Sequence, residues 1–254
     1  MRRRQCAASP LHLVSAFAAT SRLVLGQEAV EGKANELSAI PVLINRLAED
    51  GDLKGTLVSI DATATNAKIA QAIKDADTDY LLAVKANQPS LRAETESAFA
   101  LAESLDRFVD HDNGHGRVEQ CTVSVIHDVD WPTAIGALPG EIRLPKAAAI
   151  IRVQSRAEFA NRCRFETRYY IASAKLTAEQ AANALCGHWG IENRLHWVLD
   201  VVFADDQSRL RKGHGTKNIA IVRNFTINLM RAATDKKSIK LRRKIAGWDT
   251  NYGA

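Results

Sequence analysis

The chain has 254 residues, 46% of them hydrophobic and 25% charged, with a mean hydropathy of -0.18. Such a chain is long and apolar enough to bury a sizeable core, and its composition excludes a disordered, collagen-like or membrane-bundle protein. The net charge of +5 is uneven: twelve Lys and Arg against three acids between Asp205 and Lys244 give that segment +9 and leave -4 for the rest, a distribution suited to binding a polyanion.

Two short apolar runs, 11–18 and 22–30, flank the polar Thr20-Ser21 and predict a β-hairpin. Asn35-Glu36 then opens a helix with Leu37, Ile40, Leu43, Ile44 and Leu47 at helical spacing, and Pro41 early in it. Leu57 to Ile60 is a strand ending on Asp61. Thr65-Asn66 caps a second helix with Ile69, Ile73 and Ala76 on one face. Tyr80 to Val84 is the nearly all-apolar run of a buried parallel strand. The order predicts an α/β fold with a mixed sheet. From about 86 to 176 the pattern becomes β-rich, with a helix-prone piece over 91–105 and alternating runs over 120–129, 147–153 and 168–171. Helix returns at Thr177, where Thr177-Ala-Glu-Gln180 is a capping box, and runs through Leu199. A last helix covers 218–230, with Ile219, Val222, Ile227 and Leu229 toward the core.

Met1-Arg-Arg-Arg followed by an apolar stretch imitates a secretory signal, but His12 and Ser15 interrupt the stretch and it pairs naturally with Leu23 to Leu25. Cys6, Cys121, Cys163 and Cys186 are too scattered for a zinc site or a disulfide scaffold, which fits a reducing, cytoplasmic setting. No stretch reaches the roughly 18 residues of a membrane span, so no membrane association is expected.

Two carboxylates stand out. Asp61, at the carboxyl end of a strand, occupies the place where open α/β sheets put their ligands, and it also reads as a loop residue capping the next helix. Glu192 shares a helical face with Leu185, His188, Trp189, Leu195, His196 and Leu199, so it is expected in an apolar stripe. A buried carboxylate needs a partner, and either a histidine four residues away or a metal ion would serve. Two such acids suggest phosphoryl transfer assisted by Mg²⁺, which takes oxygen ligands.

Six segments carry a resemblance. They are Leu11-His-Leu-Val-Ser-Ala-Phe17, Ser59-Ile-Asp61-Ala, Ala83-Val-Lys85-Ala-Asn87-Gln88, Gly114-His115-Gly116-Arg117-Val-Glu119, Thr167-Arg-Tyr-Tyr-Ile171, and His188-Trp-Gly-Ile-Glu192-Asn with Leu195-His-Trp-Val-Leu-Asp200. Together they resemble the ISAs1 family of bacterial insertion-sequence transposases, which includes the H-repeat-associated proteins within the IS4-like DDE group. The resemblance covers residues 11 to 250. It implies an RNase H-like core over 11–85 and 177–235, a β-rich insertion over 86–176 and a basic tail over 236–254. It also implies Mg²⁺- or Mn²⁺-dependent cleavage of DNA at element ends and joining to target DNA, by a homodimer on DNA.

Asp61 matches the second catalytic Asp of that family and Glu192 its Glu, both as metal ligands. Leu185, His188 and Leu199 stand where other IS4-like members carry Tyr, Arg and Lys. Lys85, His115, Arg117, Arg168, Arg211 and Lys212 are the expected DNA contacts. The first catalytic Asp has no counterpart in Met1 to Pro10, so an N-terminally truncated chain with impaired strand transfer is expected. The alternative is a non-catalytic DNA-binding or dimerising transposase remnant.

Overall fold

In the computed structural model the described residues are 12–30, 36–51, 53–84, 88–114, 117–127, 144–159, 161–210, 213–249 and 252. The elements run β1 (His12–Ala18), β2 (Leu23–Val30), α1 (Glu36–Glu49), β3 (Leu57–Ile60), α2 (Ala67–Asp75), β4 (Asp79–Val84), α3 (Pro89–Leu101), β5 (Asp106–Gly114), β6 (Arg117–His127), β7 (Ala149–Phe159), β8 (Arg162–Ala172) and α4 (Ala178–Ile191). Two π-helical stretches, Glu192–His196 and Val198–Val202, precede α5 (Gly215–Ala232) and α6 (Ile239–Trp248). The chain divides into two compact units, Ala48–His188 on one side and Met1–Leu47 with Trp189–Ala254 on the other.

The Ala48–His188 unit is built on one six-stranded sheet of order β3-β4-β8-β7-β6-β5, in which β3 and β4 are parallel and every other neighbouring pair is antiparallel. This mixed α/β architecture is consistent with an RNase H-like DDE transposase fold. Tyr80, Leu81 and Leu82 are almost completely buried, as a strand covered on both faces requires. The Asn66 side chain accepts the Ile69 N–H at 2.9 Å and so caps α2, whose Ile69 and Ile73 are buried.

The capping box at Thr177 forms as its sequence implies. The Thr177 N–H donates to Gln180 Oε1 at 2.9 Å, and the Gln180 N–H donates to Thr177 Oγ1 at 3.2 Å. α4 then lays Ala178, Ala181, Ala182 and Leu185 on Leu81, Val123, Val125, Ile151, Val153 and Tyr170. Three alanines on the contact face let the helix approach the sheet closely.

The strands exceed their sequence signals. β7 continues six residues beyond Val153, β8 begins six before Arg168, and β5 had no expected counterpart. β5 is an edge strand with Asp106, Arg107, Asp110 and Asp112 along it, and charge of that kind suits an edge while hiding the alternation that identifies a strand. A polar knot ties β4 to the loop after β8: Asp79 Oδ1 accepts from Ser173 Oγ at 2.7 Å and from Lys74 Nζ at 2.6 Å, while the Tyr80 N–H donates to Ser173 Oγ at 2.9 Å. Burial pushes the Asp79 carboxyl up, but the hydrogen bonds from Lys74 and Ser173 outweigh it and hold the group below its ordinary value.

In the second unit, β1 and β2 form a separate antiparallel pair and are not strands of the large sheet. Gly26 lets β2 lie directly on α1, since a Cβ there would stand 3.1 Å from Leu43 Cδ1. Pro41 is the sixth residue of α1. Val24, Leu195, Val198, Val202 and Ile227 make the core of this unit.

α5 corrects its sequence reading. Ile227 is buried, but Val222 and Leu229 are more than half exposed, and the inward face instead carries Ala220, Asn224 and Asn228. The Asn228 amide decides that face: its Oδ1 accepts the Val24 N–H at 2.9 Å and its Nδ2 donates to the Val24 carbonyl at 2.8 Å, satisfying the backbone of β2 as a neighbouring strand would.

Glu192 also departs from expectation. Its side chain is 63% exposed and does not lie in an apolar stripe, and Trp189, His196 and Trp197 are exposed with it. The cause is the helix itself. From Glu192 onward it closes i→i+5 hydrogen bonds, the Trp197 N–H reaching the Glu192 carbonyl, so each turn takes more residues and the inward face moves to Leu195, Val198 and Val202.

Three outcomes check this account. Asn66→Ala lowers unfolding stability by about 1 kcal/mol through loss of the α2 cap. Leu195→Ala costs about 2–5 kcal/mol in denaturant unfolding, whereas Glu192→Ala changes stability by no more than about 0.5 kcal/mol. A group with a depressed folded pKa stabilises above its unfolded value and loses that contribution as pH falls through the folded one. Asp79→Asn therefore lowers the melting temperature at pH 7, and the deficit shrinks as the pH drops below about 4, the ordinary Asp value.

Candidate active site

Asp61 follows the last residue of β3, and the loop that holds it is tied down on several sides. Its carbonyl accepts the Ala64 N–H at 3.0 Å, closing a 3₁₀ turn over Ala62–Ala64. Thr65 Oγ1 donates to the Ala83 carbonyl near the end of β4 at 2.8 Å, and buried Gln88 donates from Nε2 to the Thr65 carbonyl at 2.8 Å. The parallel β3–β4 pair thus fixes both ends of the loop. Asp61 is exposed at this strand end, where an α/β sheet offers a ligand its open edge.

Ser59, on β3 two residues before Asp61, hydrogen-bonds through Oγ to His188 Nδ1 at 3.0 Å. That contact joins the strand ending in Asp61 to α4. Sequence reading missed it, although a Ser two positions before the acid and a His four before Glu192 were there to be seen.

In the other unit, Glu192 opens the first π-helical stretch and its Oε2 lies 3.2 Å from His196 Nδ1. Of the two histidines considered for Glu192, His196 pairs with it, and His188 hydrogen-bonds Ser59. Asp200, four residues beyond His196, is also exposed. Among the described residues, no group of three or more His, Cys, Asp and Glu side chains could hold a metal ion. In donor chemistry, Asp61 and Glu192 each suit a hard divalent cation: both are exposed carboxylates that present oxygen ligands.

Arg168 lies half-buried on β8, with its Nε donating to Glu166 Oε1 at 2.6 Å. That hydrogen bond holds the Glu166 carboxyl below its ordinary value and raises the Arg168 guanidinium above its own. Arg168 therefore already has a carboxylate partner. Lys85, His115, Arg211 and Lys212 lie outside the described residues, and Arg117 opens β6 with its side chain outside them.

A protein-family profile described as "Transposase DDE domain" matches residues 4–229. The chain is 36% identical over 252 residues to "Putative protein YbfL" of Escherichia coli strain K12 and, over the same length, to "H repeat-associated putative transposase YhhI" of that strain. Each of these matches covers 95% of this chain and 64% of the relative. "Putative transposase YncI" of Escherichia coli O157:H7 is 36% identical over 256 residues, covering 95% of this chain and 62% of the relative. The chain thus spans less than two thirds of the length of these relatives. With a family profile matching nearly the whole chain and relatives at 36% identity, the chain belongs to the DDE transposase family.

Proposed function

We propose that this chain carries out, or descends from a protein that carried out, divalent-metal-dependent cleavage of DNA at insertion-sequence ends and transfer of the freed strand to target DNA. The observation that carries the reading is Asp61, exposed at the carboxyl end of β3 on a loop braced by Thr65 and Gln88, in a chain of the DDE transposase family. Asp61 and Glu192 are the proposed metal ligands. Bound Mg²⁺ or Mn²⁺ would supply positive charge to the reacting phosphoryl group. The protein's own part is to place the carboxylates: Thr65 holds the Asp61 loop to β4, and Ser59 holds His188 beside the strand that leads into it.

The proposed organisation is a catalytic core over 11–85 and 177–235, a β-rich insertion over 86–176 and a basic tail over 236–254. DNA is the proposed partner, bound by a homodimer in the cytoplasm, and Lys85, His115, Arg117, Arg168, Arg211 and Lys212 are its proposed contacts. No helix among the described residues is long and apolar enough to cross a membrane.

A second reading is a non-catalytic DNA-binding or dimerising transposase remnant, favoured by the excess positive charge of the segment 205–244. Mn²⁺ titration with nicking of element-end DNA separates the two. Under the catalytic reading, Asp61→Asn and Glu192→Gln each weaken Mn²⁺ binding by about tenfold or more and abolish metal-dependent nicking. Salt-sensitive DNA binding that is unchanged in both variants, without metal-dependent nicking by the parent chain, supports the second reading.

A further inference from the structure

The unit formed by Met1–Leu47 and Trp189–Ala254 contains 19 Lys and Arg against 9 Asp and Glu, a net +10, whereas Ala48–His188 carries -5. Within the positive unit three arginines meet at the turn of the β1–β2 hairpin. The Arg231 guanidinium, on α5, is a clasp: Nη1 donates to the Arg22 carbonyl and Nη2 to the Arg194 carbonyl. Arg194 itself donates from Nη1 to the Ala19 carbonyl at 3.4 Å, reaching the same turn from the π-helical stretch. The Arg231 guanidinium also rests over the Phe17 ring at 5.3 Å, which fixes its plane. Two more arginine residues are thereby held against a third.

Arg22 occupies its place at a conformational cost. Its φ is +60°, in the left-handed region that a turn normally fills with Gly or Asn. A side chain kept in a disfavoured backbone state points to a use for that side chain. Electrostatics add a second cost. Among the described residues, none of Arg22, Arg194 and Arg231 forms an ion pair with a carboxylate. Burial depresses the Arg231 guanidinium, and the charges of Arg22 and Arg194 push it the same way. Like charges held together in this way, one of them exposed, make a site that an anion would relieve.

We propose that Arg22, Arg194 and Arg231 form a phosphate-binding site that takes a backbone phosphate of DNA. A planar guanidinium suits phosphate oxygens; Arg22 and Arg194 are the proposed phosphate donors, and Arg231, whose Nη groups are given to carbonyls, holds both residues in place and adds its charge. Arg194 stands two residues beyond Glu192, so the site lies on the same helical stretch as that carboxylate. The DNA assignment rests on the transposase reading above, whereas the phosphate assignment rests on the cluster itself.

Two measurements on the full chain test it. The first follows the arginine Nε–H signals by NMR during titration with inorganic phosphate, with chloride at equal ionic strength as control. Phosphate should shift the signals of all three residues, and Arg22→Ala should abolish the response of Arg194 and Arg231 while Arg22→Lys retains part of it. The second measures the salt dependence of DNA binding in EDTA. Each phosphate contact contributes about 0.9 to the slope of log affinity against log salt, so Arg22→Ala and Arg194→Ala should each lower the slope by about 0.9. Between 50 and 200 mM salt that is about a 3.5-fold smaller loss of affinity per contact. Phosphate shifts no larger than those with chloride overturn the site. Phosphate shifts with an unaltered DNA slope overturn its assignment to DNA backbone and leave a site for free phosphate. A parent chain that binds no DNA refutes the transposase reading, and the phosphate titration then decides the site independently.

Discussion

The helix that begins at Ala178 changes its hydrogen-bond ring at Glu192, and much of the structure follows from that change. Up to Ile191 it is an ordinary α-helix whose alanines press on the large sheet. Beyond it, i→i+5 bonding delivers Leu195, Val198 and Val202 to a second core with Val24 and Ile227. The same widening leaves Glu192 and His196 in solvent, paired with each other. An acid free of the core is open to a cation, whereas the same acid in an apolar stripe would have to be neutralised or paired in place. The stretch thereby separates buried apolar residues from exposed polar ones within a few positions.

The basic character of the C-terminal quarter is divided in a similar way. Arg242 is buried and donates to the Met230 carbonyl and to Asp235, Arg243 donates to the Val202 carbonyl, and Arg223 pairs with Asp205. These cations serve as hydrogen-bond donors that close helix ends and loops. They are therefore not simply a solvated, polyanion-attracting tail, and α6 occupies much of the segment that charge alone would describe that way. A count of charges overstates the charge available to a partner, because guanidinium groups satisfy main-chain carbonyls so well. At the hairpin turn Arg231 is likewise given to main-chain carbonyls, whereas Arg22 is exposed.

Local rules were legible in the residues. Asn66 caps α2, Thr177 and Gln180 close a reciprocal cap, β3 ends just before Asp61, and the apolar run at Tyr80 is a buried strand paired in parallel with β3. The exposure of Asp61 was legible because a strand end exposes whatever follows it. Glu192 was given the wrong surroundings, since the stripe argument assumes a constant 3.6-residue turn. The core face of α5 was misassigned for another reason: Val222 and Leu229 look like core residues by hydropathy, but Asn224 and Asn228 face inward to hydrogen-bond β2.

The sequence by itself determined the α/β class, most of the strands and helices, their caps and the resemblance to DDE transposases, because these depend on neighbours a few residues apart or on whole motifs. Only the tertiary structure decided that the hairpin pairs apart from the large sheet, that Ser59 meets His188, and that Arg231 gathers Arg22 and Arg194. Those contacts join residues 129, 209 and 37 positions apart, and no local periodicity encodes them. They arise where buried backbone groups and polar side chains must find partners once the apolar faces have closed.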